Sequence, residues 1–524
     1  MEDTSGENKN NVTRSRIKRR DILKGMASLP VFGLFGYKYS QSRKVPEDES
    51  VNMIHELGLN QELKFNIPGG TSTKPADTIR LGVIGAGSRS RTLLFQTGFA
   101  PKIQIDGMDK TAKDNWMSYR DLNVVLTGVC EVFDERAERA IDASRNSVKA
   151  IAGETNLPKV KRYKHYHDLL SSDEIDAVII ATPDHWHAQM SIDAISAGKH
   201  VYCEKAPTRT EEEAFRMAAA LKNSKEIYQL GHQVRHNPIY PYAADLVKKG
   251  VLGNVNLVEM TTNRNTSDGA WVRHLNDDGS PRSGDPKSID WDLWLGDRPK
   301  VPFSIDRYYN WTKYFDYATG LLGQLFSHEF DAINGILNCG IPASCMCTGG
   351  IYYYDDGREI PDLMQAVFEY PNKGMTLIYS ATLANSRSRG RVIMGRDASM
   401  EIGSSLSVIA DGNSTKYKDK LDKRLISNNK PMFTIGPNQG TDAVSSATEK
   451  YYADRGLTTV NIGGESKDIT HLHLREWLDV IRNGGNTSCN IDWAFQEAIA
   501  IQMAKKSYFE KRQVRWDAEN QKIV

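Results

Sequence analysis

The stretch "TIRLGVIGAGSRSRTLLFQTG", Thr78 to Gly98, decides the fold. Ile79 to Ile84 is an apolar run of strand-forming residues, a glycine turn follows, and Ser88 onward has the pattern of a helix. Gly85 and Gly87 fall where a dinucleotide fold uses glycine. The first makes the turn, and the second lets a pyrophosphate approach the helix amino terminus, whose free N–H groups favour anions. Ser90 holds the place of a third glycine, so on this motif alone a turn without a ligand stays open.

Downstream the pattern repeats. "NVVLTGVCEVFDERAERAIDASRNSVKAIAG" reads as a second strand and a long helix. "SSDEIDAVIIATPDHWHAQMSIDAISAGKHVYCEK" gives strand, turn, helix and strand, and "EEAFRMAAALKNSKEIYQLGHQ" adds a helix and a further strand. Strands alternating with helices predict a doubly wound parallel α/β sheet, a Rossmann domain over residues 78–206. Beyond Asn237 strand-like runs such as "MQAVFEYPNKGMTLIYSAT" follow one another without helices. They predict a second α/β domain, residues 207–524, with a large, mostly antiparallel open sheet. Residues 410–460 lack a clean period and read as a surface insertion.

Upstream, residues 1–40 carry a basic region before an apolar run from Gly25 to Phe35. Those eleven residues are too short for a bilayer, which needs about 20, and have the length of a signal-peptide core. Arg19-Arg20-Asp21-Ile22-Leu23-Lys24 resembles a twin-arginine export signal. It implies the twin-arginine machinery as a partner and a periplasmic location, with a membrane tether if the signal stays uncleaved. Residues 41–77 read as a linker. A net charge of +1 gives no sign of a nucleic-acid partner. Six scattered cysteines give neither a disulfide framework nor a zinc pattern.

The chemistry-bearing residues sit at strand ends. Glu131 closes the second strand, where an acid would hold ribose hydroxyls and favour NAD over NADP, or serve only as a strand-end carboxylate. It lies 44 positions after Gly87 against about 20 in the usual unit, which fits an insertion after the first helix. "ATPDHWHA" places Thr182, Pro183, His185 and His187 on a turn suited to the nicotinamide ribose. The pairs His165/His167, His185/His187 and His471/His473 have no cysteine or carboxylate at ligand spacing, so no metal is expected. "KHVYCEKAPT" delivers Glu204 and Lys205 to the carboxyl end of a strand, where open α/β sheets bind ligands. Trp291 and Tyr309, with Trp271, Trp294 and Trp311 nearby and Arg264 upstream, would suit a pyranose or simply pack a core.

"GAGSR", "ATPDHWHA", "GKHVYCEKAPT", "GHQVRHNPIY" and "GLLGQLFSHEFDAIN" together resemble the glucose–fructose oxidoreductase / inositol dehydrogenase (Gfo/Idh/MocA) family over about residues 78–400. The resemblance implies an NAD(P) Rossmann domain facing an open sheet, a sugar or cyclitol substrate, a homo-oligomer and a tightly held nucleotide. It adds Ser88, Arg89, Glu204, Lys205 and Gln233 to the cofactor contacts. Glu204–Lys205 matches the family's Glu-Lys-Pro motif, with Ala206 intervening before Pro207, and implies that Lys205 reaches the reacting hydroxyl. The family's Asp-x-x-x-His reads Gln324-Leu-Phe-Ser-His328 here. His328 is then the general base, with a satisfied core histidine as the other reading, and Gln324 can hold a substrate hydroxyl but cannot titrate. The expectation is an NAD-dependent oxidoreductase acting on a secondary hydroxyl of a sugar or glycoside, a glycoside 3-dehydrogenase being one form. Two alternatives stay open: a redox-assisted glycoside-cleaving enzyme of the same fold, and a non-catalytic sugar- or nucleotide-binding protein.

Overall fold

The computed structural model describes residues 55–57, 77–265, 282–436, 459–462 and 465–524. The signal region 1–40, almost all of the linker 41–77, and Trp271 lie outside them.

The first sheet has strands β1 (Ile79–Ile84), β2 (Val124–Cys130), β3 (Lys161–Tyr163), β4 (Ala177–Ile180), β5 (His200–Cys203) and β6 (Tyr228–Leu230), in the order β3-β2-β1-β4-β5-β6. Every neighbouring pair is parallel. β2 and β4 are buried at every position, as strands covered on both faces must be, which accounts for their unbroken apolar runs. Helices α1 (Ser88–Gln96) and α2 (Asp134–Arg145) put Leu93, Leu94, Ala140 and Ala143 on one face with Leu81 and Val83. Helices α3 (Asp184–Ser196) and α4 (Glu211–Lys222) put Ala188, Met190, Met217 and Leu221 on the other with Val178 and Ile180. The residues after α1 form short helices, Lys102–Asp106 and Lys110–Met117, anchored by Trp116, whose indole donates to Phe95 O at 2.9 Å. This insertion is what separates Glu131 from the glycine turn.

The boundary expected at residue 206 moves. α4 and β6 follow it and complete the parallel sheet, so the dinucleotide domain runs through Leu230. Pro207 follows a strand end but does not interrupt the βαβ winding.

The second sheet runs β14-β13-β12-β11-β7-β10-β9-β8-β15-β16 among the described residues, with β12 (Ala398–Ile402), β13 (Leu406–Ala410), β14 (Phe433–Ile435), β15 (Val514–Asp517) and β16 (Lys522–Ile523). Its central strands are β7 (Val255–Thr261), β8 (Ser344–Gly350), β9 (Leu363–Tyr370), β10 (Met375–Thr382) and β11 (Gly390–Gly395). β7 and β10 pair in parallel, whereas β7–β11, β10–β9 and β9–β8 are antiparallel. β9 alternates buried and exposed positions, the mark of a sheet packed on one face only. β14 (Phe433–Ile435) pairs with β13 (Leu406–Ala410), so the segment expected as an insertion from 410 contributes an edge strand. Helix α5 (Ser327–Leu337) and the π-helical stretch before it, Leu322–Phe326, lie on the covered face, with Phe326 stacked on Phe368. Helix α6 (Ile469–Asn483) returns to the first domain and buries Leu474, Trp477 and Leu478 against the β1 face. Helix α7 (Ile491–Glu510) packs on β8 and α4.

Candidate functional site

Strand order reverses between β1 and β4, and a crevice opens at their carboxyl ends. A cavity of about 550 Å³ occupies it, lined by Gly85, Gly87, Ser88 and Arg89 from the turn and α1, Glu131 after β2, and Thr182 and Pro183 after β4. Gly85 has φ +84°, and a Cβ there would lie 2.9 Å from Ala181 O, so glycine is required. Gly87 caps α1 without a side-chain hydrogen bond, and the first turn of α1 carries no acid, which leaves its N–H end suited to an anion. Glu131 is buried, and its carboxylate accepts from the backbone N–H of Ala86 and of Phe133 (2.9 Å). It ties the glycine turn to the end of β2, and each oxygen keeps acceptor capacity for a ribose hydroxyl. These residues fit an NAD-type dinucleotide.

The lysine at the end of β5 is held from both sides. His187 places Nδ1 2.7 Å from Ala206 O and Nε2 2.8 Å from Thr182 O, pinning the turn after Lys205 to the turn after β4. Lys205 Nζ donates to Gln324 Oε1 at 3.1 Å. The Gln324 amide in turn donates to both oxygens of Asp184, at 3.2 and 3.3 Å. Asp184 opens α3, is fully buried, and also accepts from Thr319 N and Oγ1 at 3.2 and 3.3 Å. Burial raises its carboxyl above the usual range. Gln324 lies in the π-helical stretch and His328 in the first turn of α5, so the backbone widens between them.

His328 is buried, and burial together with the charges of Lys205, His232, Arg89 and Arg264 drives its imidazole well below the usual histidine range. It is neutral at pH 7, the form a proton acceptor needs. The His232 ring stands edge-on to it at 5.3 Å between centroids, and His232 Nε2 lies 2.6 Å from Glu497 Oε2 of α7. Burial alone would lower His232, but Glu497 and Asp331 outweigh it and raise the imidazole. Arg264 is buried beyond the end of β7, its N–H bound to Thr382 O at 2.8 Å, and its charge bears on His328.

Several candidates take other roles. His185 does not line the cavity: its Nε2 lies 3.0 Å from Trp294 O, and burial pushes the ring down to about 3. Glu204 and Gln233 face inward, the carboxylate accepting from Arg89 Nε at 2.8 Å and from Gln233 Nε2 at 3.1 Å. They brace α1 against β5. Tyr309 lines the dinucleotide cavity with Trp294, Tyr308 and Trp311, and Arg136 lies 4.9 Å from the Tyr308 ring centroid. Trp291 stacks on Trp294 at 4.7 Å. This aromatic segment therefore roofs the nucleotide side of the crevice, not a sugar pocket beside Lys205. Among the described residues two convergent groups form, His236/His473/Glu476 and His232/Asp331/Glu497, and only His473 comes from the His-x-His pairs. Gln229, Ser488 and Arg235 hydrogen-bond into these groups. Asp184, His232, Glu497 and Arg136 were not singled out from the sequence. Asp184 and His232 had a signal, inside "ATPDHWHA" and "GHQVRHNPIY".

Residues 105–232 match the family model GFO_IDH_MocA, described as an oxidoreductase family with an NAD-binding Rossmann fold. A levoglucosan dehydrogenase of Pseudarthrobacter phenanthrenivorans is 31% identical over 185 residues, covering 35% of this chain and 41% of that protein. A glycosyl hydrolase family 109 protein of Shewanella baltica is 29% identical over 183 residues, 34% of each chain. The chain thus aligns with well under half the length of these curated relatives. Among solved structures, a levoglucosan dehydrogenase in complex with NADH and levoglucosan superposes with a TM-score of 0.54 at 18% identity, covering 84% of this chain and 99% of that one. An NAD-binding oxidoreductase from Klebsiella pneumoniae gives 0.52 at 16% identity over 84% and 99%. These likenesses carry the two-domain fold. The matched residues 105–232, the glycine turn and the crevice agree on an NAD-binding Rossmann domain similar to that of the Gfo/Idh/MocA oxidoreductases.

Proposed function

We propose that this protein is an exported NAD-dependent oxidoreductase acting on a secondary hydroxyl of a sugar or glycoside, with its nucleotide retained under the aromatic roof. The observation that carries the reading is the crevice at the glycine turn, with Lys205 at the carboxyl end of β5 held against Gln324 in the stretch that leads into the buried His328. Bound NAD supplies the hydride acceptor. His328 takes the hydroxyl proton as the C–H hydride leaves, and Lys205 stabilises the developing alkoxide, acting where charge appears in the transition state. Arg264 positions the hydroxyl rim, while the Gln324 amide is committed to Lys205 and Asp184. Relatives named for levoglucosan and inositol oxidation support a sugar or cyclitol substrate.

The relatives described as glycosyl hydrolase family 109 proteins favour a second reading, redox-assisted glycoside cleavage. There an oxidised ring carbon would acidify its neighbouring C–H, the aglycone would leave by elimination, water would add across the resulting double bond, and the ketone would be reduced again.

One experiment tests the first reading and separates it from the second: single-turnover reduction of bound NAD by levoglucosan, myo-inositol and methyl glucosides. His328→Asn and Lys205→Met should each slow hydride transfer by about 10²–10⁴-fold while leaving NADH affinity unchanged. Undiminished transfer in either variant removes that residue from the mechanism. Release of methanol from a methyl glucoside without net NADH would favour the second reading.

A further inference from the structure

Asp184 has no place in the chemistry above, yet it is a fully buried carboxylate one hydrogen bond behind it. Burying a carboxylate costs several kcal/mol unless its partners repay it. Its partners are few: Thr319 N and Oγ1, and the Gln324 amide. The amide is the informative one. Its two heavy atoms could be exchanged by a half-turn, and the neighbours decide which way it lies. With Nε2 toward Asp184 (3.2 Å) and Oε1 toward Lys205 Nζ (3.1 Å), a donor meets a carboxylate and an acceptor meets an ammonium. The reverse setting would press oxygen against carboxylate and NH₂ against ammonium.

The surroundings leave the amide little freedom. A Cβ on Gly323 would lie 1.7 Å from Thr319 Oγ1 and 3.0 Å from Ala206 Cβ, so the π-helical stretch presses directly on the turn that follows Lys205. His187 pins that turn through Ala206 O. The groups near the Lys205 ammonium include Gln324, through Oε1 at 3.1 Å and its backbone O at 3.4 Å, and behind it Asp184, with His328 within the field of the ammonium.

We propose that Asp184 is the positioning residue for Lys205, acting through Gln324: its carboxylate sets the amide so that the oxygen, not the NH₂, faces the ammonium, and so aims that ammonium at the substrate oxygen. The proposal rests on the role given to Lys205 above. Asp184 itself touches neither substrate nor nucleotide.

The test uses the full-length, nucleotide-loaded protein and has two readouts, single-turnover hydride transfer with the most active sugar of the panel and the ¹⁵Nζ resonance of Lys205, assigned by its loss in Lys205→Met. Asp184→Asn can present either end of its own amide to Gln324, so the orientation is no longer dictated. Hydride transfer should fall at least tenfold with little change in KM, and the Lys205 resonance should move. Asp184→Asn/Gln324→Asp places a carboxylate directly against Lys205, and should recover transfer to within about threefold and return the resonance toward its original position. Wild-type transfer and an unmoved resonance in Asp184→Asn overturn the proposal. So does a loss that the double variant fails to rescue while its melting temperature matches the wild type, since Asp184 would then only brace Thr319. If Lys205→Met transfers hydride undiminished, the role of Lys205 fails instead, a result separate from both.

Discussion

His471 offers a sharp test of how the C-terminal helix holds the dinucleotide domain. It lies on α6, fully buried, with Nδ1 2.9 Å from Gln96 O at the end of α1 and its ring stacked on Tyr119 at 3.9 Å. Burial, reinforced by Lys467 and Arg475, pushes its imidazole down to about 3. The sign follows from linkage. The folded state keeps the ring neutral, whereas the unfolded chain protonates it near pH 6.5, so its contribution is complete above that pH and is lost as pH falls toward 3. Between pH 7.5 and 5.5 the loss amounts to about 1.4 kcal/mol for this one ring. His471→Gln can still donate to Gln96 O but carries no titrating group. Its cost at pH 7.5, through lost stacking, should therefore shrink by about 1.4 kcal/mol at pH 5.5, because the wild type weakens and the variant does not. Urea unfolding of both proteins at the two pH values measures this difference, and other titrating groups cancel in the comparison. A difference that stays constant or widens on acidification would refute the argument, and with it the neutral buried state of His471.

Two further outcomes follow from other parts of the chain. Gly85→Ala forces φ +84° on a residue with a Cβ 2.9 Å from Ala181 O. A non-glycine residue there costs about 1–2 kcal/mol in backbone energy alone, so NADH affinity by fluorescence titration should drop about tenfold or more, and unchanged affinity would dismiss the turn as a phosphate cradle. Replacing Arg19 and Arg20 by lysine should leave folded protein in the cytoplasm on fractionation, and intact delivery to the periplasm would rule out the twin-arginine route.

The parallel sheet was legible because its signals are local. A strand, a glycine pair and a helix lie within Thr78–Gly98, and buried strands such as Ala177–Ile180 announce themselves as apolar runs. Glu131 and Lys205 could be named for the same reason, as residues at the ends of recognisable strands, whereas His328 was named through the family resemblance. What escaped notice depends on contacts far apart in the chain. Gln324 and Asp184 are 140 positions apart, and His232 and Glu497 meet only when α7 folds back. The aromatic segment was read by chemistry, as a sugar platform or as core packing. Only the tertiary structure puts Tyr309 and Trp294 over the nucleotide crevice. The spacing of His185 placed it on the right turn, but nothing local tells which way a ring faces. The histidine pairs were judged by neighbours in sequence, although Glu476 stands three positions after His473 and converges with it.

The return of α6 also has a consequence for synthesis. β6 ends at Leu230, and the helix that supplies Leu474, Trp477 and Leu478 to the core begins at Ile469. At about 5–20 residues per second, a ribosome needs roughly 10–50 s to cross that interval. Through this window the growing chain has every strand of its first sheet but lacks a wall of its core, with Leu81 and Val83 short of their final cover. A stable phosphate cradle is therefore expected only once the residues from Ile469 to Asn483 have been made, and a product ending before Ile469 is expected to be readily proteolysed.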